Sequence, residues 1–174
     1  MKQKGIDSFV NQRIWIIGAS SGIGEACTKA FIKAGAKVAL SSRRAERLNA
    51  IAQSAEPGQA LVLPADVTQQ EQVISAYQAI LGAWGSLDLM LFVSGVYTPL
   101  RADNFEFEIA QKTIDANLLG PMRAVSVVLP NMLKEHAGHI AIVGSVAGYS
   151  GLPKALAYGP VSYTHLTLPT NREV

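Results

Sequence analysis

Five short apolar runs alternate along this chain with longer segments whose apolar residues recur every third or fourth position, and that alternation restricts the fold more than any other feature. The runs are RIWII (13–17), KVALS (37–41), ALVLPA (60–65), LDLMLFV (87–93) and HIAIVGS (139–145). Bounded by Gly or polar residues and holding β-branched side chains, they suit strands buried on both faces. Between them lie EACTKAFIKAGA, AERLNAIAQSA, QEQVISAYQAILGAW and the long FEIAQKTIDANLLGPMRAVSVVLPNMLKEH, all with helical spacing. Strict alternation implies parallel strands joined by right-handed crossovers: an α/β fold with a doubly wound parallel sheet. Ligands of such sheets bind beyond the C-terminal strand ends, so function is to be sought in the residues after each run.

The chain has 174 residues, 49% of them hydrophobic and 16% charged, which fits one globular domain. Fifteen Lys and Arg against thirteen Asp and Glu leave a balance of +2, without the clustered basic excess that nucleic acid or a membrane surface requires. The start, MKQKGIDSFVNQR, has no apolar leader, and no run is long enough to span a bilayer, so a cytoplasmic protein is expected. The single cysteine, Cys27, falls in a helical pattern and reads as a small buried hydrophobe.

After the first strand comes Gly18-Ala19-Ser20-Ser21-Gly22-Ile23-Gly24, leading into a helix. Glycines let the backbone turn sharply and approach a ligand closely, while the free amides and positive dipole end of a helix attract a pyrophosphate. The same residues also fit the G-x-S-x-G elbow of a hydrolase, with Ser20 as nucleophile and Asp115 and His139 following in the required order. That elbow normally follows several strands, whereas this one follows the first. After the second strand, Ser42 stands where an NAD site usually carries an acid, and Arg43 follows it. A guanidinium forks onto a 2′-phosphate that a carboxylate would repel, so NADP is favoured. Asp66 after the third strand reads, by itself, as a helix cap or first-turn acid. Ser145 after the fifth, and Tyr158 beyond it, read by themselves as a loop residue and a packed aromatic.

Together, IIGASSGIGEA, LSSRR, PADVT, IDANLLG and IAIVGSVAGYSGLPKALAYG resemble, in order and spacing, the short-chain dehydrogenase/reductase family. The resemblance implies a Rossmann-type NAD(P)-binding domain over 1–160 and hydride transfer between NADP(H) and a ketone or secondary alcohol. It implies that Gly18, Ser20, Ser21, Gly22, Ile23 and Gly24 cradle the cofactor phosphates. Arg43 would hold the 2′-phosphate, and Asp66 with Val67 would border the adenine. Tyr158 would give a proton to the substrate oxygen, Ser145 would hold that oxygen, and Asn117 would hold the water that relays the proton. A small-molecule carbonyl or alcohol substrate and a homo-oligomeric parent follow from the same resemblance. A dinucleotide-binding sensor without catalysis is the other alternative.

Two departures from the family pattern stand out. Phe92-Val93-Ser94-Gly95 replaces N-N-A-G, removing polar side chains that tie neighbouring strands together. Ser162 stands where the family has the lysine that lowers the tyrosine's pKa. The ending accounts for the second departure. Residues 158–174, YGPVSYTHLTLPTNREV, show neither apolar period, and VSYTHLTLPT (161–170) resembles, residue for residue, a translated transposon adapter used to prepare DNA for sequencing. Residues 161–174 are therefore expected to be a non-native tail, and the fold to be incomplete at its C-terminus, lacking the helix begun at Tyr158.

Overall fold

The computed structural model describes residues 8–167. Five strands, β1 (Arg13–Ile17), β2 (Lys37–Ser41), β3 (Ala60–Val62), β4 (Leu89–Phe92) and β5 (His139–Ile142), form one sheet in the order β3-β2-β1-β4-β5. Every pairing is parallel, with Ile17 of β1 opposite Ser41 of β2 on one side and Phe92 of β4 on the other. The strand order reverses at β1, so the loops after β1 and β4 diverge to opposite faces and leave a crevice between them.

Side chains of β1 alternate between two cores, as the period of two in a strand demands. Trp15 and Ile17 face helices α3 (Gln70–Trp84) and α5 (Gly120–Glu135), packing with Val73, Tyr77, Ile80, Val128 and Met132. Ile14 and Ile16 face α1 (Gly22–Lys33) and α2 (Ala45–Ala52), packing with Ile32, Leu48 and Ile51. The inner strands β1, β2 and β4 are mostly apolar because both of their faces are covered. Tyr77 stacks on Trp15 with ring centroids 6.1 Å apart, and Trp84 packs against the same core. Cys27 is only half-buried, against the second core.

The long segment read as one helix is three consecutive pieces. Helix α4 (Phe107–Ile114) passes into a π-helical turn (Asp115–Leu119), which passes into α5. An inserted residue of this kind rotates the rest of the helix about its axis and is common at functional sites. His136 closes α5 in the left-handed conformation at φ 49°, ahead of Gly138.

The stretch beginning at Tyr158 differs from expectation. It forms helix α6 (Tyr158–Thr167), so the helix thought to be lacking runs for ten residues. Val161 and Ser162 are buried within it. Its apolar residues are too irregularly spaced to have signalled a helix. Residues 168–174 of the proposed tail lie outside the described residues. Strand β5 lies at the sheet edge with its side chains half-buried. Among the described residues no helix is long and apolar enough to cross a membrane.

Candidate dinucleotide site

The crevice at the strand-order reversal holds a cavity of about 220 Å³, lined by residues from the loops after four strands. Gly18, Ser20 and Ser21 come from β1, Ser42, Arg43 and Arg44 from β2, Asp66, Val67 and Thr68 from β3, and Val93 to Val96 from β4. Of the residues that the resemblance assigned to phosphate and adenine, Gly18, Ser20, Ser21, Arg43, Asp66 and Val67 line this cavity, whereas Gly22, Ile23 and Gly24 do not.

The glycine-rich turn has a steric reason for two of its glycines. Gly18 takes φ +103°, and a Cβ there would lie 2.6 Å from the backbone nitrogen of Ser94. A Cβ on Gly24 would collide with the carbonyl of Gly18, so α1 can approach β1 this closely only with glycine. Gly22 is different in kind. Its φ is +55°, yet a Cβ would meet nothing within 4 Å.

Ser21, before α1, makes no side-chain cap, and the first-turn amides of any helix lack intrahelical partners. Ile23 is exposed in that first turn. Unpaired first-turn amides and the positive end of a twelve-residue helix suit an anionic diphosphate.

On the β2 side the arginine that engages the turn is Arg44. Its Nη2 donates to Ser20 Oγ at 2.9 Å and to Ser21 Oγ at 2.8 Å, and its Nε donates to Ser20 Oγ at 3.3 Å. Arg43 lines the same cavity but bonds no described residue. Spacing singled out Arg43; the adjacent Arg44 was passed over because side-chain direction at this turn depends on backbone angles. On the β3 side, Asp66 Oδ1 accepts from the Thr68 amide and hydroxyl, both at 2.9 Å. Val67 seals the floor against Gly120, whose absent Cβ would lie 3.1 Å from Val67 Cγ2.

Asn117 sits in the π turn and is buried. Its Nδ2 donates to the Val96 carbonyl at 2.7 Å and its Oδ1 accepts from the Val96 amide at 2.8 Å. The side chain expected to hold a relay water is engaged in fixing the loop after β4. Val96 was missed from sequence, although it too lies beyond a strand end.

At the Phe92-Val93 departure the strands are paired through their backbones. Phe92 is buried in the core, and the backbone ties the strands: Val93 donates to the Ile17 carbonyl at 2.8 Å and Val143 to that of Phe92 at 2.9 Å.

Ser145 caps the 3-10 turn Val146–Gly148, its Oγ accepting from the Ala147 amide at 3.2 Å. That turn packs against α6, which opens at Tyr158. The Tyr158 ring meets Tyr97 edge-on, centroids 5.2 Å apart, so the loop after β4 backs the phenol. A larger cavity of about 750 Å³ lies beside the 147–156 loop, but neither Ser145 nor Tyr158 lines it, so its size does not make it the reaction site. One helical turn beyond Tyr158, Ser162 donates to the Tyr158 carbonyl at 2.7 Å, as a helical serine commonly does.

The hydrolase arrangement is not assembled. His139 opens β5 and donates its amide to the Asp88 carbonyl, at the end of the sheet opposite the glycine-rich turn. Asp115 is paired with Arg123 at 2.7 Å, and Ser20 Oγ accepts from a guanidinium rather than giving its proton to a base.

A parallel sheet with its ligand crevice at the order reversal, a glycine turn feeding a helix and a basic residue beside it define a dinucleotide-binding Rossmann-type domain. Residues 12–160 match the family model described as short chain dehydrogenase. The chain belongs to that family. It is 32% identical over 155 residues to an uncharacterized oxidoreductase, Lin0452, of Listeria innocua, covering 88% of this chain and 62% of that protein. An uncharacterized oxidoreductase of Listeria monocytogenes, Lmo0432, is 31% identical with the same coverage. The chain thus spans about 62% of the length of these relatives. Among solved structures, serine dehydrogenase from Escherichia coli superposes with a TM-score of 0.82 at 26% identity, over 88% of this chain and 71% of that one. ElxO with NADP bound superposes with a TM-score of 0.84 at 25% identity, over 91% and 65%.

Proposed function

We propose that this chain is the cofactor-binding portion of an NADP(H)-dependent oxidoreductase acting on a ketone or secondary alcohol. The observation that carries the reading is the cavity at the strand-order reversal, lined by Gly18, Ser20 and Ser21 at the head of a helix whose N-terminus has no side-chain cap. Ser42 in place of a carboxylate, beside two arginines on the cavity wall, supports the phosphorylated cofactor, and the NADP-bound ElxO structure is consistent with it.

Gly18 to Gly24 would hold the diphosphate, Arg43 and Arg44 would face the 2′-phosphate, and Asp66 with Val67 would border the adenine. The cofactor supplies hydride at the substrate carbon. Tyr158 delivers a proton to the substrate oxygen, and Ser145, whose Oγ accepts from Ala147, keeps its own proton free to hold that oxygen. Asn117 acts by fixing the Val96 loop.

A lysine at 162 would stand on the same helix face as Tyr158, one turn on. We propose further that residues 161–174 are not native and that the parent gene encodes that lysine. Sequencing the parent gene across codon 162 tests this; serine there would overturn it. Oligomerisation through the exposed apolar residues Ile114, Met122, Leu129 and Leu133 is part of the same proposal, tested by light scattering of the parent protein.

The activity is tested on the parent protein by following NADPH oxidation with a panel of ketones. Turnover that Tyr158→Phe lowers by about a hundred-fold or more, with NADPH binding intact, is expected. Cofactor binding with no turnover of any carbonyl would leave the sensor reading instead.

A further inference from the structure

We propose that Tyr97 is a positioning residue for the proton donor: its ring and its hydroxyl hold the two ends of the segment that carries Tyr158 into α6, and so aim the Tyr158 phenol. The inference rests on the oxidoreductase reading above.

Tyr97 stands in the loop after β4, directly beyond the residue that Asn117 clamps. Its backbone therefore starts from a fixed point, because the amide and the carbonyl of Val96 are both bonded to one buried side chain. From there the side chain makes two contacts with a single segment, 154–158. Its ring meets that of Tyr158 at 71°, centroids 5.2 Å apart, the edge-to-face arrangement that ring quadrupoles favour. Its hydroxyl donates to the Lys154 carbonyl at 3.4 Å. The same carbonyl accepts from the Leu100 amide at 2.8 Å, and Leu100 pairs with Ala155 in an isolated parallel bridge. Lys154 takes φ 63°, a conformation that a lysine seldom adopts and that surrounding contacts must hold. The loop after β4 thus grips the chain four residues before Tyr158 and again at its ring.

Tyr158 needs such a grip. It is the first residue of α6, so no preceding helical turn restricts its rotamer. Among the described residues its hydroxyl makes no hydrogen bond, and no ring other than Tyr97 packs on it. A phenol transfers a proton efficiently only from a narrow range of orientations, so whatever holds the ring governs the rate. Tyr97 is itself 52% exposed, which sets its contacts outside the hydrophobic cores and directs their effect to Tyr158 rather than to the stability of the sheet.

The test measures ketone reduction by NADPH in the parent protein, with Tyr97→Leu and Tyr97→Phe made singly and in a Tyr158→Phe background, and a thermal melt for each. Tyr97→Leu is expected to lower kcat about three- to ten-fold while the KM for NADPH and the melting temperature stay near wild type. Tyr97→Phe keeps the ring and loses only the hydroxyl, so it should restore kcat to within about two-fold of wild type. In the Tyr158→Phe background no phenol remains to be aimed, and Tyr97→Leu should leave the residual turnover unchanged. Independently of any variant, nuclear Overhauser contacts between the ring protons of Tyr97 and Tyr158 are expected in the 174-residue chain, and these carry the test if Tyr97→Leu does not fold. An unchanged kcat in Tyr97→Leu, an equal loss in the Tyr158→Phe background, or missing ring contacts overturns the inference alone. A wild-type parent that reduces no carbonyl overturns the oxidoreductase reading, and this inference with it.

Discussion

The side chain of Asn117 closes a two-way hydrogen bond on the backbone of Val96, giving at 2.7 Å and accepting at 2.8 Å, and so joins the π turn of the long helix to the loop after β4. Both backbone groups of residue 96 depend on one buried amide. Removing it leaves a donor and an acceptor without partners. Asn117→Ala is predicted to destabilise the chain by about 2–3 kcal/mol in urea unfolding. Hydrogen exchange at the Val96 amide should accelerate more than at the β4 amides. An unchanged Val96 exchange rate would remove the structural role assigned to this asparagine.

Two glycines in the first turn of α1 should fail in opposite ways when given a methyl group. Gly24→Ala drives that methyl into the Gly18 carbonyl and should unfold the α1–β1 contact, seen as a large loss of thermal stability. Gly22→Ala meets no protein atom and carries only the cost of its positive φ, about 1 kcal/mol. It should stay folded and lose affinity for NADPH, because the methyl stands in the first turn whose amides would face the phosphates. A Gly22→Ala chain that binds NADPH as tightly as wild type would show that the phosphates sit elsewhere.

The Arg13–Asp88 pair gives a pH signature. Asp88 accepts from the Arg13 amide at 2.7 Å, from Nε at 2.8 Å and from Nη2 at 2.6 Å, binding the start of β1 to the start of β4. Burial pushes the Asp88 carboxyl up, but the Arg13 hydrogen bonds and charge outweigh it, so the group titrates below its ordinary value. Arg13 is raised, chiefly by the same hydrogen bond. A depressed carboxylate stabilises the fold above its unfolded pKa and loses that stabilisation as pH falls through the folded one. The melting temperature should therefore drop below about pH 4. Asp88→Asn should flatten that acid limb and cost about 1–2 kcal/mol near neutrality.

Ser20 is predicted to be inert toward a fluorophosphonate probe. Its hydroxyl accepts from Arg44, and the histidine required of a hydrolase lies at the other end of the sheet. Stoichiometric labelling at Ser20, read by peptide mass, would reverse that conclusion.

A feature of this fold was legible in the sequence where a local physical constraint dictates residue type. The strands were legible because two helical layers cover them, which forces unbroken apolar runs such as Trp15 to Ile17. The glycine turn was legible because Gly18 and Gly24 answer to backbone collisions that no other residue avoids. The π turn was not, since one inserted residue between Ile114 and Gly120 shifts an apolar stripe without interrupting it. Nor was the contact of Arg44 with Ser20 and Ser21, which depends on side-chain direction rather than on spacing. Helix α6 escaped because burial of Val161 and Ser162 against neighbouring elements, rather than an apolar period, accompanies its helical form.

Titration of the 174-residue chain with NADPH and NADH tests the account most directly. Saturable binding of one cofactor per chain is predicted, with NADPH held more tightly than NADH and the preference shrinking as salt screens the arginines. Absence of binding, or tighter binding of NADH, would contradict it.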